Sequence, residues 1–109
     1  MTPDRGRIVW VNFNPQKGHE QAGRRPALVI SPAAYNGVSN CILVCPITSN
    51  TTPWPWKVML PDSCDITGAV LVDQVKSIDA EARKVETTGQ VVDQAIVDDV
   101  LARLATLTG

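Results

Sequence analysis

Glu20 and Arg25 lie in one polar loop, with Lys17 and Arg24 beside them. A carboxylate can take a proton, and a guanidinium offers phosphate oxygens a planar, permanently charged fork. Together these groups suit one reaction, in which the 2′-hydroxyl of RNA attacks its own adjacent phosphorus. Such a reaction needs a base for the hydroxyl, positive charge for the equatorial oxygens and an acid for the leaving 5′-oxygen. Two histidines are the ordinary metal-free choice. The chain has a single histidine, His19, so one protomer cannot supply that pair. The residue types alone leave a second reading open, in which Glu20 and Arg25 form a surface ion pair.

The flanks must hold this loop in place. Gly6-Arg7-Ile8-Val9-Trp10-Val11-Asn12-Phe13 precedes it and Ala27-Leu28-Val29-Ile30-Ser31-Pro32 follows it. Both runs are rich in β-branched and aromatic residues, as buried strands are. Between them lies Asn14-Pro15-Gln16-Lys17-Gly18-His19-Glu20-Gln21-Ala22-Gly23-Arg24-Arg25-Pro26. Hairpin loops usually take about 2–5 residues. A loop about twice that length costs little extra closure entropy, and its retention points to a task beyond turning the chain.

This segment closely resembles the signature of the MazF/PemK/Kid toxin ribonucleases. The resemblance continues in Tyr35-Asn36, Cys45-Pro46-Ile47-Thr48, Gly68-Ala69-Val70-Leu71 and Asp73-Gln74-Val75-Lys76-Ser77, and reaches the C-terminal helix by pattern only. It implies that Glu20 and Arg25 are catalytic and that Thr48 carries a catalytic or phosphate-orienting hydroxyl. On the residue alone, Thr48 reads equally as a turn hydroxyl that caps backbone groups. Lys17, His19, Gln21 and Arg24 are expected to meet RNA. The family commonly has Ser where this chain has His19, which argues against an essential role for the imidazole. Arg7 and Asn14 stand where an acid is more usual. Some relatives carry a lysine in the loop that here reads Thr51-Thr52-Pro53, so the recognised bases should differ.

Other residues have both a bland and a functional reading. Trp54 and Trp56 flank Pro55, and bases stack well on aromatic faces. Core packing is favoured for Trp56 by strand alternation, whereas Trp54 is open. Gln74 and Lys76 could line an RNA groove. Asp73 reads as a turn residue accepting from backbone amides.

Composition narrows the class. The length of 109 residues fits one domain, taken as residues 1–109, and 44% hydrophobic residues fit a packed core rather than disorder. A net charge of −1 argues against a protein that coats nucleic acid non-specifically, though not against a local basic cleft. No apolar run approaches a membrane span and no signal-like leader opens the chain, so a cytoplasmic location is expected. Cys41, Cys45 and Cys64 are an odd number without a secretory signal, as free thiols would be. His19 is too distant in sequence to complete an evident zinc site with them, and no metal or other cofactor is expected.

Strands are expected at Arg7 to Phe13, Ala27 to Ile30, Cys41 to Cys45 (ended by Pro46), Trp56 to Leu60 and Ala69 to Val72. Ala82 to Glu86 could add a short one, and Tyr35-Asn36-Gly37 marks a turn. Ile96, Val97, Val100, Leu101, Leu104 and Leu107 recur at helical spacing after Asp93, a suitable N-cap. The expected fold is therefore mainly β, a small barrel with a C-terminal helix. The resemblance implies the same SH3-like barrel, paired into a homodimer and blocked by a cognate antitoxin.

The favoured reading is a sequence-specific endoribonuclease acting on single-stranded RNA. It would leave 2′,3′-cyclic phosphate and 5′-hydroxyl ends. One rival is a CcdB-like gyrase-poisoning toxin of the same fold, which depends on an aromatic near its C-terminus. Leu104-Ala105-Thr106-Leu107-Thr108-Gly109 lacks one. The other is an SH3-like module binding proline-rich peptides through Tyr35, Trp54 and Trp56, which leaves the Glu20–Arg25 loop without purpose.

Overall fold

A computed structural model describes residues 2–14 and 23–109. The order of elements is β1 (Arg7–Asn12), β2 (Arg24–Val29), α1 (Ala33–Ser39), β3 (Cys41–Thr48), β4 (Lys57–Met59), β5 (Ala69–Leu71), a 3₁₀ turn (Val72–Gln74), β6 (Lys76–Asp79), β7 (Glu86–Val91) and α2 (Gln94–Thr108). The seven strands form one antiparallel sheet in the order β4-β5-β3-β2-β1-β7, and β6 also pairs with β3. The expected class is therefore found: mainly β, with one C-terminal helix.

Two hydrophobic clusters use the two faces. The first gathers Ile8, Leu28, Cys45, Ile47 and Val70 under Val97 and Val100 of α2. The second is Val9, Val11, Phe13, Ala27, Val29, Ile42, Val44 and Ile78, with Val85 beside it. No helical side chain belongs to this second cluster, yet Val9, Val11, Ala27, Val29 and Val44 are fully buried. Apart from Phe13 and Val85 its described members are strand residues, so the sheet curls over itself in a barrel-like way. Among the described residues the hydrogen-bonded path from β4 to β7 does not close.

β3 differs from expectation. It runs through Pro46 to Thr48. Leu43 faces β2, since Ile30 N–H donates to its carbonyl at 2.9 Å and its own N–H donates to Ser31 Oγ at 2.9 Å. Alternation then turns the position of Pro46 toward the opposite edge. There the pairing with β6 ends at Lys76 opposite Val44, and the pairing with β5 starts at Val70 opposite Ile47. The missing N–H falls in the gap between two partners, so the proline costs no ladder bond.

The expected turn at Tyr35-Asn36-Gly37 is the middle of α1. Long-range contacts make it helical. Asp4 Oδ1 accepts from the Ala33 N–H at 2.9 Å, and buried Asn36 donates to the carbonyls of Pro3 and Ser31 at 2.8 and 2.9 Å. The Ala33 and Arg5 amides also hold the Asp4 carboxyl below its usual range. Asn40 ends the helix in the left-handed region at φ 61°. Residues 82–85 form a turn rather than a strand, and β7 follows them. β2 begins at Arg24 instead of Ala27, and β6 is a strand beyond those expected. Asp93 does cap α2, by its backbone carbonyl and not by its side chain.

The thiols of Cys41, Cys45 and Cys64 are free. Burial, and next the Asp73 carboxylate, push the Cys45 thiol up to about 12 from an ordinary 9.0. The folded protein therefore keeps this proton where the unfolded chain releases it. The corresponding stability is intact below about pH 9 and is lost as the pH climbs toward about 12. The loss should reach about 4 kcal/mol by linkage. Urea unfolding at rising alkaline pH should show this slope, and Cys45→Ala should flatten it.

Candidate active site

Arg25 is the second residue of β2 and pairs with Val11. β2 and β3 meet in the register Ala27 with Pro46. Continuing that register by two residues sets Arg25 opposite Thr48. Side chains alternate between faces, so Arg25 and Thr48 share the face of Ala27, Val29 and Val44. They stand at the end of the second core cluster, where the apolar row gives way to polar residues. Lys76 pairs with Val44 on the other edge of β3 and so occupies that face too. Arg25 and Thr48 thus meet at one end of that face, with Lys76 on the same face four positions back along β3. Arg25, Gln74 and Lys76 each interact with neighbouring groups.

Arg24 goes the other way. Its guanidinium reaches across β1 to the Glu86 carboxylate at 2.6 Å and the Lys84 carbonyl at 3.1 Å. Alternation puts it on the opposite face from Arg25. An exposed pair of this kind contributes up to about 1 kcal/mol.

Lys17, His19, Glu20 and Gln21 lie outside the described residues. The neck of their loop is well defined. Phe13 N–H donates to the Gly23 carbonyl at 2.9 Å, and Gly23 N–H to Asn14 Oδ1 at 2.9 Å. Asn12 Oδ1 accepts from the Asn14 N–H at 3.0 Å, and Arg83 donates to the Asn14 carbonyl. These bonds fix where the loop leaves and rejoins the sheet, next to Arg25.

Thr48 is buried at the end of β3. Its Oγ1 accepts from the Asn50 N–H at 3.1 Å, and Asn50 Oδ1 accepts from the Thr52 N–H at 3.0 Å. Lys57 Nζ donates to the Thr52 carbonyl at 2.8 Å, bracing the loop from below. On the other side, Gly68 lies so close that a Cβ there would come within 2.2 Å of the Thr48 carbonyl oxygen. Its φ of +127° also suits glycine alone. Thr48 is therefore fixed from both sides.

A hollow of about 290 Å³ opens beside it, lined by Thr48, Asn50, Trp54, Lys57, Leu71, Asp73 and Gln74. Trp54 is 48% exposed and its Nε1 donates to Asp73 Oδ2 at 3.1 Å. Asp73 thus serves an indole, where backbone amides were expected. Trp56 packs against the core as expected, with Nε1 donating to Thr106 Oγ1 at 2.9 Å. Asn50 and Lys57 are lining residues that sequence reasoning passed over. The alternation of Trp56-Lys57-Val58 was the available signal for Lys57, since it places the lysine away from the core.

An antiparallel sheet curled on itself, with one C-terminal helix and a cation at a loop neck, defines a compact class of small β proteins. MazF of Deinococcus radiodurans has this architecture, matching with a TM-score of 0.94 at 44% identity over 100% of this chain and 98% of that one. MazF in the MazE–MazF complex from the same organism matches at 0.89 and 44%, covering 100% and 97%. The endoribonuclease toxin MazF of Escherichia coli K12 is 42% identical over 94 residues, 86% of this chain and 84% of that protein. The family model for PemK-like, MazF-like toxins of type II toxin–antitoxin systems matches residues 4–108, and the chain belongs to that family.

Thr48→Val keeps the shape and removes the acceptor for Asn50. It should lower stability by only about 1–2 kcal/mol while unfolding stays cooperative, as read by urea denaturation.

Proposed function

We propose that the protein is a sequence-specific endoribonuclease toxin that cuts single-stranded RNA, mRNA in particular, in the cytoplasm. The convergence of Arg25 and Thr48 on one face, beside the neck of the loop that carries Glu20, is the observation that carries this reading. Relatives named as endoribonucleases support it. In the proposed reaction the 2′-oxygen bonds to phosphorus and the bond to the 5′-oxygen breaks. Glu20 takes the 2′-proton, and the departing 5′-oxygen takes a proton from solvent water. Arg25 neutralises the equatorial oxygens, and Thr48 orients the phosphate. The products are a 2′,3′-cyclic phosphate and a 5′-hydroxyl. RNA supplies its own nucleophile, so the scheme calls for no metal-activated water.

Gln74 and Lys76, with Lys17, His19, Gln21 and Trp54, are proposed to hold the strand, whereas Arg24 is engaged with Glu86 on the opposite face. Residues 1–109 act as one domain, and two copies pair about a two-fold axis to form a longer groove. An acidic segment of an antitoxin occupies that groove in the resting complex. The MazE–MazF complexes of Deinococcus radiodurans support this partner.

Arg25→Ala should lose at least about 10²–10³ in cleavage rate, the usual contribution of one well-placed donor to developing charge, while remaining folded. Arg25→Lys should recover only part, because an ammonium lacks the planar fork. Near-normal cutting by folded Arg25→Ala would refute the mechanism.

The chemistry has a separate check. Cleavage should persist in EDTA and stop on an oligonucleotide with 2′-deoxyribose at the scissile nucleotide. A metal-activated water could cut that deoxy position, so cutting there, or loss of activity in EDTA, would show a different reaction.

A further inference from the structure

Trp54 has an unusual combination of exposure and restraint. It stands in the loop between β3 and β4 with 48% of its surface open. It walls two adjoining hollows, the polar one beside Thr48 and a second one bordered by Pro53, Met59 and Arg103. Three contacts restrain the ring and its loop. Asp73 Oδ2 accepts from Nε1 at 3.1 Å. The Trp56 ring lies 5.4 Å away, tilted by 59°, and is itself tied to α2 through Thr106. The Lys57 bond to the Thr52 carbonyl braces the loop.

Asp73 is otherwise out of place. A carboxylate on the rim of a groove for a polyanion repels what the groove should attract. An indole N–H held by a carboxylate gains a charge-assisted bond, stronger than a neutral one. That bond sets the plane of an aromatic whose exposed surface borders the hollow containing Thr48. A fixed aromatic beside a polar hollow is the arrangement that accepts an unstacked base.

We infer that Asp73 is a positioning residue, which through the Trp54 N–H fixes the indole as the platform on which one base of single-stranded RNA stacks next to Thr48. This rests on the ribonuclease reading. Asp73 itself touches no reacting atom, so its removal should weaken substrate binding and spare the chemical step.

The test uses the purified full-length protein and an RNA oligonucleotide spanning a mapped cut site. KM and kcat are measured on that RNA. Affinity is measured by fluorescence anisotropy on the same strand with 2′-deoxyribose at the scissile nucleotide. Trp54→Ala should weaken affinity by about ten- to a hundredfold, the usual loss of one stacked base. Asp73→Ala should raise KM and Kd by roughly three- to tenfold, with kcat within about twofold, as for one hydrogen bond. Asp73→Asn keeps an acceptor and should bind at least as well as the wild type. Trp54→Phe removes the N–H together with part of the stacking face and should lose at least as much affinity as Asp73→Ala. In the Trp54→Phe background, Asp73→Ala should add nothing. This last comparison separates action through the indole from general destabilisation, and Trp54→Phe with Asp73→Asn carries the test if Asp73→Ala unfolds. Unchanged affinity in Asp73→Ala, an equal further loss in the Phe background, or a fall in kcat alone would overturn the inference while a cutting wild type upholds the ribonuclease reading. A wild type that neither binds nor cuts RNA would overturn both.

Discussion

Everything else in this protein hangs on β3, which has to satisfy three neighbours at once. It pairs with β2 along one edge and with β6 and then β5 along the other. It supplies Cys45 and Ile47 to one core cluster and Ile42 and Val44 to the other. Such a strand must be apolar on both faces, and Cys41–Thr48 is. The switch from β6 to β5 leaves Cys45 and Pro46 without a partner on that edge, and Pro46 is the one whose amide position turns toward it. One residue beyond the last apolar position, the strand delivers a hydroxyl, Thr48, whose carbonyl is approached so closely that only Gly68 fits beside it. The same packing that buries the core therefore sets a polar group at its rim with little freedom to move.

The charge arrangement follows from strand alternation rather than from a basic surface. Arg24 and Arg25 are adjacent in sequence and opposite in use. Arg24 ties β2 to β7 across β1 through Glu86. Arg25 stands at the end of the row of Ala27 and Val29, beside polar groups at the rim of an apolar floor. With a net charge of −1, the protein has no large field to attract RNA wherever it lands. The proposed attraction is local, and local cations at a rim can also receive an acidic peptide. Competition between substrate and antitoxin for one set of charges needs no second site.

Periodicity carried much of the fold in the sequence, because the buried strands and α2 have strong apolar patterns. Errors fell where a distant group decides a local conformation. Tyr35-Asn36-Gly37 has turn composition, but Asp4 and Pro3, about thirty residues earlier, supply the partners that make it helical. Pro46 reads as a strand end, and only the arrangement of β5 and β6 shows why it is not. Glu86–Val91 contains Thr88, Gly89 and Gln90 and carries little strand signal. It is ordered as an edge by pairing with β1. Of the site, Arg25 and Thr48 could be picked out by motif, yet their face-to-face placement required the register of β2 on β3. Asp73 was misread for the same reason. Its partner Trp54 is nineteen positions away, joined only by folding.

That coupling has a consequence for how recognition and reaction relate. Thr48 ends the strand on which Arg25 is registered and also forms part of the wall shared with Trp54, Asp73 and Gln74. On the proposed reading Thr48 belongs to both the reaction groups and the hollow, while Arg25 on β2, Trp54 before β4 and Asp73 and Gln74 in the 3₁₀ turn stand on elements adjoining β3. On the proposed reading, a base that fits the hollow brings its neighbouring phosphate to a fixed position relative to Thr48 and Arg25. A base that does not fit displaces the phosphate by the same rigid lever. Displacements near 1 Å can cost about 10² in rate, so specificity would emerge in the chemical step without strong discrimination in binding. On that reading the loop at Thr51-Thr52-Pro53 can vary in sequence while the strand proposed to align the reaction stays constrained by the core beneath it.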